Sequence, residues 1–264
     1  MFFLVDAFTL ETFRGNPAGV YVMKEDDTDF TAKRMQDIAS YYNWSEISYV
    51  KELGYNKYKI RWFSPRDEAP LCGHATLAAA HVIMMTKNNT NEPIEFIHNN
   101  GSIKAYKADD DFIYMSFPVK PITIVNNPSF EFRKIFSGID NGYENVFEDE
   151  NVYIIVLNKA SNVKKAVPNT YEIKKIEKRA VILTSSGFTG YDFCSRYFAP
   201  RVGLYEDPVC GSAHCRLAPY WGKVLNKNDM LAFQSSRRTG VLKVQLRGEK
   251  VIIGGRSIIT ARFF

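Results

Sequence analysis

Two stretches of the sequence repeat one another. Residues 61–79 read RWFSPRDEAPLCGHATLAA, and residues 196–218 read RYFAPRVGLYEDPVCGSAHCRLA. Each stretch carries Arg-aromatic-Phe, a small residue, Pro and Arg, followed by Glu-x-Pro, an aliphatic residue and Cys-Gly. The loop between these two blocks is longer in the second stretch. This ordered agreement predicts an internal duplication into two homologous halves of about 130 residues each.

The same secondary structure is predicted in both halves. Residues 57–63 alternate between polar and apolar side chains as a strand does, and Ala75 to Met85 is an almost wholly apolar helix. Tyr191 to Phe198 and Ala213 to Leu225 are the corresponding strand and helix, and Pro219 is expected near the first turns of that helix or at a kink. A helix that is apolar all round is buried on most sides. Each half is therefore predicted to run strand, proline loop, Cys-Gly turn and buried helix.

Strands dominate the rest of the chain, with a helix at Thr31 to Tyr42 that Asp29 is expected to cap and a polar loop at 88–93. These elements predict an α/β (α+β) fold of two homologous domains, each a mostly antiparallel sheet curled around a central helix. The domains are placed at 1–117 and 118–264, and the C-terminal strand is allowed to cross back to the first.

Composition and charge exclude several protein classes. The 264 residues are 45% hydrophobic, which is enough apolar material for one large core or two ordinary ones. The net charge of +5 comes without a dense basic run, so nucleic acid is not expected as a partner. The longest apolar stretch, Ala75 to Met85, is too short for a membrane span. Residues 1–5 lack a basic region like that of a signal peptide, and the four cysteines are expected as reduced thiols of a cytoplasmic protein.

The two Cys-Gly turns are the first candidate sites, because each one starts a helix. The first amides of a helix lack partners within it and carry partial positive charge, so they bind a carboxylate and lower the pKa of a thiol placed there. Gly73 and Gly211 let a ligand approach this backbone closely. Cys72 and Cys210 are therefore candidate catalytic thiols, and the alternative is that they are small buried residues that fill space under a turn. Two such helix starts facing one another would suit a small anionic substrate.

Three polar residues beside these turns are further candidates. His74 can contact a ligand anion or shuttle a proton, or it can bond to the backbone at the helix start. Asp207 stands where the first copy has an alanine, and it is either a carboxylate beside the site or an exposed loop acid. Ser212 can cap the second helix and present its amides to a substrate.

Metal, nucleotide and serine-hydrolase chemistry are not expected. Cys72, His74, Cys210 and His214 are zinc-type ligands, but Cys-x-His is too short for the usual zinc spacing and no Cys-x-x-Cys occurs. The absence of a P-loop, a Gly-x-Gly-x-x-Gly or a Gly-x-Ser-x-Gly motif argues against nucleotide and serine-hydrolase chemistry. The sequence therefore predicts no metal site and no nucleotide cofactor.

A set of short motifs, spread over most of the chain, belongs to one family pattern. They are Asp6-Ala7-Phe8-Thr9, Gly15-Asn16-Pro17-Ala18-Gly19-Val20, Ser45-Glu46, Arg61 to Pro65, Leu71 to Thr76, Glu206 to His214, Tyr220-Trp221 and Gln234 to Arg237. Through them the sequence resembles the PhzF-like phenazine-biosynthesis family, within the broader diaminopimelate epimerase fold. The resemblance implies two similar domains with the active site between them. It also implies a cofactor-independent isomerase, a homodimer, that acts on a small anionic metabolite.

The resemblance implies roles for single residues as well. The family's general acid/base is the Glu of its Ser-Glu motif, which falls on Glu46 here, whereas from the sequence alone Glu46 is equally an exposed acid at a strand edge. His74 and Asp207 match family positions that contact substrate or relay protons. The positions implied to bind substrate are Gly73, Gly211, Ser212 and Asn16.

The second turn departs from the family pattern, which often carries Thr where this chain has Cys210. In the epimerase relatives both turns carry Cys, and the two thiols act as opposing bases. Three hypotheses therefore stand: a PhzF-like isomerase that uses Glu46, a two-thiol amino-acid racemase or epimerase that uses Cys72 and Cys210, and a non-catalytic binding protein on the same fold. The turns here read Cys-Gly-His-Ala and Cys-Gly-Ser-Ala, unlike those of diaminopimelate epimerases, which argues against that particular substrate.

Overall fold

The computed structural model describes residues 1–25, 27, 30–87, 92–140 and 142–263. The chain divides into two compact units, of which the first contains Met1–Phe117 and Ile252–Phe264 and the second contains Pro118–Val251. The last strand of the chain, which was allowed to cross back to the first domain, pairs with the first strand.

The first unit contains nine strands and two helices among its described residues. The strands are β1 (Phe2–Ala7), β2 (Asn16–Val22), β3 (Glu46–Gly54), β4 (Lys57–Phe63), β5 (Glu68–Ala69), β6 (Ile94–His98), β7 (Gly101–Lys107), β8 (Ile113–Pro118) and β20 (Ser257–Phe263). The helices are α1 (Ala32–Tyr42) and α2 (Gly73–Thr86).

These strands form a mixed, mostly antiparallel sheet around helix α2. Strand β1 pairs antiparallel with β2 and β20, and β2 runs parallel to β3 with Ala18 opposite Glu46. Strand β4 pairs antiparallel with β3 and parallel with β6, and the sheet continues antiparallel through β7 and β8. Helix α2 packs against β1, β2, β3, β7 and β20, which makes it the central helix of the unit.

Helix α2 is buried because its sequence is apolar all round. Ten of its 14 residues are buried, and Leu77 and Val82 are completely inaccessible. Such a helix has no polar face to turn toward water, so it is stable only inside a core. The helix predicted over 75–85 is confirmed, and it begins two residues earlier, at Gly73.

The second unit contains the remaining elements. Its strands are β9 (Thr123–Ile124), β10 (Phe136–Ser137), β11 (Asn145–Glu148), β12 (Val152–Val156), β13 (Val167–Pro168), β14 (Ala180–Ser186), β15 (Phe193–Ala199), β16 (Leu204–Asp207), β17 (Asp229–Gln234), β18 (Gly240–Arg247) and β19 (Lys250–Gly255), the last of which runs into the first unit. Its helices are α3 (Phe132–Ile135), α4 (Ala160–Lys165), α5 (Thr170–Lys175) and α6 (Gly211–Leu225), with a 3-10 turn at Pro200–Val202.

The sheet of the second unit is also mixed. Strand β12 runs parallel to β14, β14 pairs antiparallel with β15, and β15 runs parallel to β17, which pairs antiparallel with β18. Helix α6 packs against β18. The Trp221 indole Nε1 of α6 donates to the Thr184 hydroxyl of β14 at 2.9 Å, and both side chains are buried. This bond ties the helix to the middle of the sheet.

Pro219 lies in the middle of helix α6. A proline has no N–H, so it cannot donate to the carbonyl of Cys215, four residues earlier. The backbone N–H of Lys120, outside the helix, donates to that carbonyl at 3.0 Å. The helix tolerates an interior proline because another segment of the unit supplies the missing donor.

The fold class predicted from the sequence is confirmed, since both units combine a mixed sheet with one long, largely buried helix that starts at a Cys-Gly turn. The expected cap at Asp29 and most of the loop at 88–93 lie outside the described residues. At the start of α1, the Thr31 side chain accepts a hydrogen bond from the Arg34 N–H at 3.3 Å. Nowhere in the described part of the chain does a helix reach the length and apolarity needed to cross a membrane.

Alanine at Gly255 is expected to destabilise the core of the first unit. An added Cβ would lie 2.4 Å from Phe8 Cδ1 and 2.6 Å from Leu77 Cδ2, and both of these side chains are buried. Overpacking of this kind lowers the free energy of unfolding by about 1–3 kcal/mol, which urea denaturation measures. Gly54→Ala is the matched control, because a Cβ there meets nothing within 4 Å. Equal stability of the two variants would contradict the prediction.

Candidate active site

Three side chains meet where strand β3 and helix α2 begin. Glu46 is the first residue of β3, Cys72 is the N-cap of α2, and His74 is the second residue of α2. The Cys72 Sγ lies 3.5 Å from His74 Nδ1, and His74 Nε2 lies 3.1 Å from Glu46 Oε2. The imidazole therefore links the thiol to the carboxylate, and these three residues are called the Glu46 cluster below.

Buried hydrogen bonds hold β3 against the start of α2. The Ser48 hydroxyl donates to the Ala75 carbonyl at 2.9 Å. Because alternate residues of a strand share a face, Glu46 also points to the side of β3 on which α2 starts. The Thr76 hydroxyl donates to the Cys72 carbonyl at 2.6 Å, which fixes the N-cap residue. Ser48 and Thr76 are completely buried, so the position of the Glu46 cluster is set by the core.

The electrostatics of the Glu46 cluster favour a protonated imidazole. Burial lowers the pKa of His74, but the adjacent Cys72 and Glu46 outweigh burial and hold this pKa well above its ordinary value. Burial raises the pKa of the Cys72 thiol and Glu46 raises it further, although His74 opposes both effects. Both neighbours therefore favour the protonated imidazole to the extent that they carry negative charge themselves.

A second group of side chains lies at the start of helix α6. Asp207 is the last residue of β16, Cys210 is the N-cap of α6, and Ser212 is the second residue of the helix. The Cys210 Sγ lies 3.3 Å from the Ser212 hydroxyl. Burial raises the pKa of Cys210 well above its ordinary value, and the Asp207 carboxylate adds to the rise. Asp207, Cys210 and Ser212 are called the Asp207 cluster below.

Gln234, at the end of β17, braces the Asp207 cluster. Its amide nitrogen donates to the Asp207 carbonyl at 2.6 Å, and its amide oxygen accepts from the Cys210 N–H at 2.8 Å. Gln234 is completely buried, so one side chain fixes both ends of the loop that leads into α6. From the sequence, Gln234 was identified only as part of a family motif. A glutamine at a buried position of an alternating strand is the signal that points to such a brace.

His214 lies beside the Asp207 cluster and bonds to its backbone. It is completely buried, and its Nδ1 lies 2.8 Å from the carbonyl oxygen of Cys210, so the ring donates to the backbone one turn earlier. Burial lowers the pKa of His214 to about 4, because the protonated ring would be a charge away from water. His214 is therefore neutral at physiological pH and belongs to the core.

A repeated ion pair supports the loop before each Cys-Gly turn. In the first unit, Arg61 Nε and Nη2 each donate to a different oxygen of Glu68 at 2.7 Å. In the second unit, Arg196 contacts both oxygens of Glu206 at 2.6 and 3.1 Å. Arg196 also donates from Nη1 to the Ala166 carbonyl at 2.6 Å. The Arg and the Glu of the sequence repeat therefore form the same kind of ion pair in both units.

The other sequence-predicted site residues lie at the ends of elements. Gly73 and Gly211 are the first residues of α2 and α6. A Cβ at Gly73 would meet only Phe117 Cζ, at 3.9 Å, so packing against other residues does not itself require glycine there. Asn16 is the first residue of β2 and is buried opposite Ala7. The structure thus brings Glu46 together with Cys72 and His74 in one unit, and it groups Asp207, Cys210 and Ser212 in the other.

Neither helix-cap thiol is expected to be a reactive nucleophile in the folded protein. Cys72 and Cys210 are each 7% exposed, and burial raises the pKa of both. Iodoacetamide reacts with the thiolate, so near pH 7 both residues should be alkylated much more slowly than free cysteine. Mass spectrometry of digested protein measures the labelling at each site, with urea-unfolded protein as the fully reactive control. Rapid labelling of either residue in the native state would contradict the prediction.

Comparisons with known proteins agree over nearly the whole chain. A family model described as phenazine biosynthesis-like protein, PhzC-PhzF, matches residues 5–262. An uncharacterised isomerase of Halalkalibacterium halodurans is 38% identical over 264 residues, which cover 98% of this chain and 96% of the relative. The crystal structure of a PhzF-family phenazine biosynthesis protein from Enterococcus faecalis is 34% identical and has a TM-score of 0.91, covering 100% of this chain and 98% of the other.

A more distant structure shares the fold alone. A hydroxyproline epimerase from Agrobacterium vitis, solved with bound trans-4-hydroxy-L-proline, superposes with a TM-score of 0.60. It is 11% identical, and the match covers 98% of this chain and 90% of the epimerase. The architecture is therefore shared with a protein named as an epimerase, and a shared fold does not by itself fix the chemistry.

Proposed function

Because this chain belongs to the phenazine biosynthesis-like PhzC-PhzF family, in which its relatives include proteins named as isomerases, we propose that it is an isomerase that moves a proton on a small carboxylate metabolite. Glu46 is the general acid/base in this proposal, and no cofactor takes part. The observation that carries the proposal is the 3.1 Å contact between Glu46 Oε2 and His74 Nε2 at the buried start of helix α2.

The Glu46 cluster has the groups that a proton transfer needs. A carboxylate accepts a proton from carbon and then delivers it to another atom of the same molecule. The Glu46 side chain is 23% exposed, so it remains accessible to a substrate, whereas the His74 side chain is 8% exposed. The imidazole, which contacts Glu46 through Nε2, keeps the carboxylate in position and can relay a proton.

The start of helix α2 supplies binding energy for an anionic substrate. The first amides of α2 have no acceptor within the helix, which is longer than three turns. Amides in this position bind carboxylates and favour negative charge that develops during a reaction. These features support the proposed substrate class, a small carboxylate.

The two-thiol racemase hypothesis has less support. Its bases must alternate between thiol and thiolate near neutral pH, whereas burial raises the pKa of both Cys72 and Cys210. The two-thiol hypothesis does explain why both cysteines are helix N-caps. It is retained as an outcome of the experiment that follows.

Proton exchange in heavy water tests the proposal. The purified protein is incubated in deuterium oxide with amino acids and with cyclic or unsaturated carboxylic acids, and proton NMR follows the loss of carbon-bound protons. The proposal expects deuterium at a carbon of at least one carboxylic acid, with the exchange preserved in Cys210→Ser. Exchange at an amino-acid Cα that disappears in Cys210→Ser would replace the proposal with the two-thiol racemase. Binding of small anions, seen as a rise in melting temperature, without exchange of any compound would favour the binding protein.

A further inference from the structure

The Glu46 cluster contains one sulfur, one nitrogen and one oxygen ligand in a small space. The ligand atoms of Glu46, Cys72 and His74 all lie within 4.8 Å of one another. They come from two separate parts of the chain, the start of β3 and the start of α2. A search for metal ligands by the spacing of Cys and His in the sequence misses such a group, because its third member is a carboxylate 26 residues earlier in the chain.

The distances within the Glu46 cluster already approach those of a tetrahedral zinc site. Zinc bonds of about 2.3 Å to sulfur and about 2.0 Å to nitrogen place two ligands of a tetrahedron roughly 3.5 Å apart. The Cys72 Sγ lies 3.5 Å from His74 Nδ1, and Glu46 Oε2 lies 3.1 Å from His74 Nε2. One imidazole nitrogen binds one cation, so whichever nitrogen is used, one partner stands at ligand spacing and the other needs a small side-chain movement.

The chemistry of the donor set selects the kind of cation. A thiolate with an imidazole suits borderline-soft divalent ions such as Zn²⁺ and Co²⁺, and it disfavours Mg²⁺ and Ca²⁺, which prefer oxygen ligands. Three protein ligands leave the fourth tetrahedral position to water, which the partly exposed Glu46 side chain allows. Ser48 and Thr76 already fix the backbone that carries the ligands, so little ordering is needed on binding.

We propose that Glu46, Cys72 and His74 bind one zinc-class divalent cation and that the bound cation inhibits the isomerase. On binding, the Cys72 sulfur and the His74 nitrogen that become ligands give up to solvent any proton that they carry, and the metal takes its place. Glu46 becomes a ligand and can no longer accept a proton from carbon. The inhibition rests on the proposed function, whereas the binding does not.

Cobalt(II) is the probe for the binding step, because a Co²⁺–thiolate bond gives a charge-transfer band in the near ultraviolet. Protein washed with chelator is titrated with Co²⁺, and Zn²⁺ is then added to displace it. We expect one cobalt per chain, with the band lost in Cys72→Ser and retained in Cys210→Ser and Cys194→Ser. Cys194 is the matched control, a completely buried thiol within strand β15. His74→Gln should weaken cobalt binding by at least about tenfold, and it serves as the second test if Cys72→Ser does not fold.

The outcomes separate the two proposals. Absence of the band in the wild type, or a band that persists in Cys72→Ser, would overturn the metal site whatever the activity. If deuterium exchange has been found, stoichiometric Zn²⁺ should abolish it and chelator should restore it. Exchange that is unaffected by bound cobalt would overturn the inhibition. A protein that binds cobalt through Cys72 and shows no exchange with any substrate would leave the metal site in place and count against the proposed function.

Discussion

Glu46→Gln is expected to lower the rate of deuterium exchange by about 10²–10⁴-fold, the usual contribution of a general acid/base. Glutamine has nearly the same shape as glutamate, but it has no carboxylate that can accept a proton from carbon. The substitution also removes the negative charge 3.1 Å from His74 Nε2. The pKa of His74 should then fall, because Glu46 is one of the two neighbours that hold it above its ordinary value. Deuterium exchange followed by NMR measures the rate, and an NMR titration of the histidines measures the fall in the pKa of His74.

Glu52→Gln is the matched control for this experiment. Glu52 lies on the same strand as Glu46, but its side chain is 48% exposed and pairs with Lys87 at 2.8 Å, away from the Glu46 cluster. It should keep wild-type exchange. Circular dichroism and urea denaturation of both variants check that the fold is unchanged. Exchange in Glu46→Gln at a rate close to that of the wild type would rule Glu46 out as the acid/base.

The buried His214 is expected to make the protein less stable in weak acid. Its pKa is lowered to about 4 in the folded chain, whereas an unperturbed histidine has a pKa of about 6.5. The unfolded state therefore binds more protons between these two values, so the free energy of unfolding falls as the pH drops through this window. The full effect amounts to about 3 kcal/mol, of which about 2 kcal/mol should be lost between pH near 7 and pH near 5. Urea denaturation at both values measures it.

His214→Asn isolates this effect. Asparagine can still donate a hydrogen bond to the Cys210 carbonyl, which His214 contacts at 2.8 Å, but it does not titrate. The variant should lose much less stability between the two pH values than the wild type does, whatever its absolute stability. His98→Asn is the control, because His98 is only partly buried and should affect the pH dependence less. A pH dependence in His214→Asn equal to that of the wild type would contradict the prediction.

The duplication, the two buried helices and the fold class could be predicted because short-range sequence patterns indicate them. The repeated Arg, Glu, Pro and Cys-Gly positions stand in order along the chain, and the apolar run of α2 marks a core helix directly. The helix-cap thiols were identified from the same local pattern. Their raised pKa was not, because burial depends on the packing of strands that are distant in sequence.

The contacts that position the site could not be predicted from the residues alone. Glu46 meets His74 because of the register of β3 and the bond between Ser48 and the Ala75 carbonyl. The sequence identified Glu46 only through a family motif. Gln234 acts through its amide on a loop more than twenty residues earlier, and no short-range pattern specifies that pairing.

The proline inside α6 means that this helix is not complete as an isolated segment. Cut out of the chain, residues 211–225 would leave the Cys215 carbonyl without a donor, because Pro219 has no N–H and Lys120 would be missing. The hydrogen bonding of the helix is therefore complete only when the segment that contains Lys120, some ninety residues earlier in the chain, packs beside it. A shift of that stretch by one residue would leave a bare carbonyl in the middle of the helix. Pro219 therefore favours the one register of the segment after Pro118 that places the Lys120 N–H against the Cys215 carbonyl, and it disfavours shifted registers.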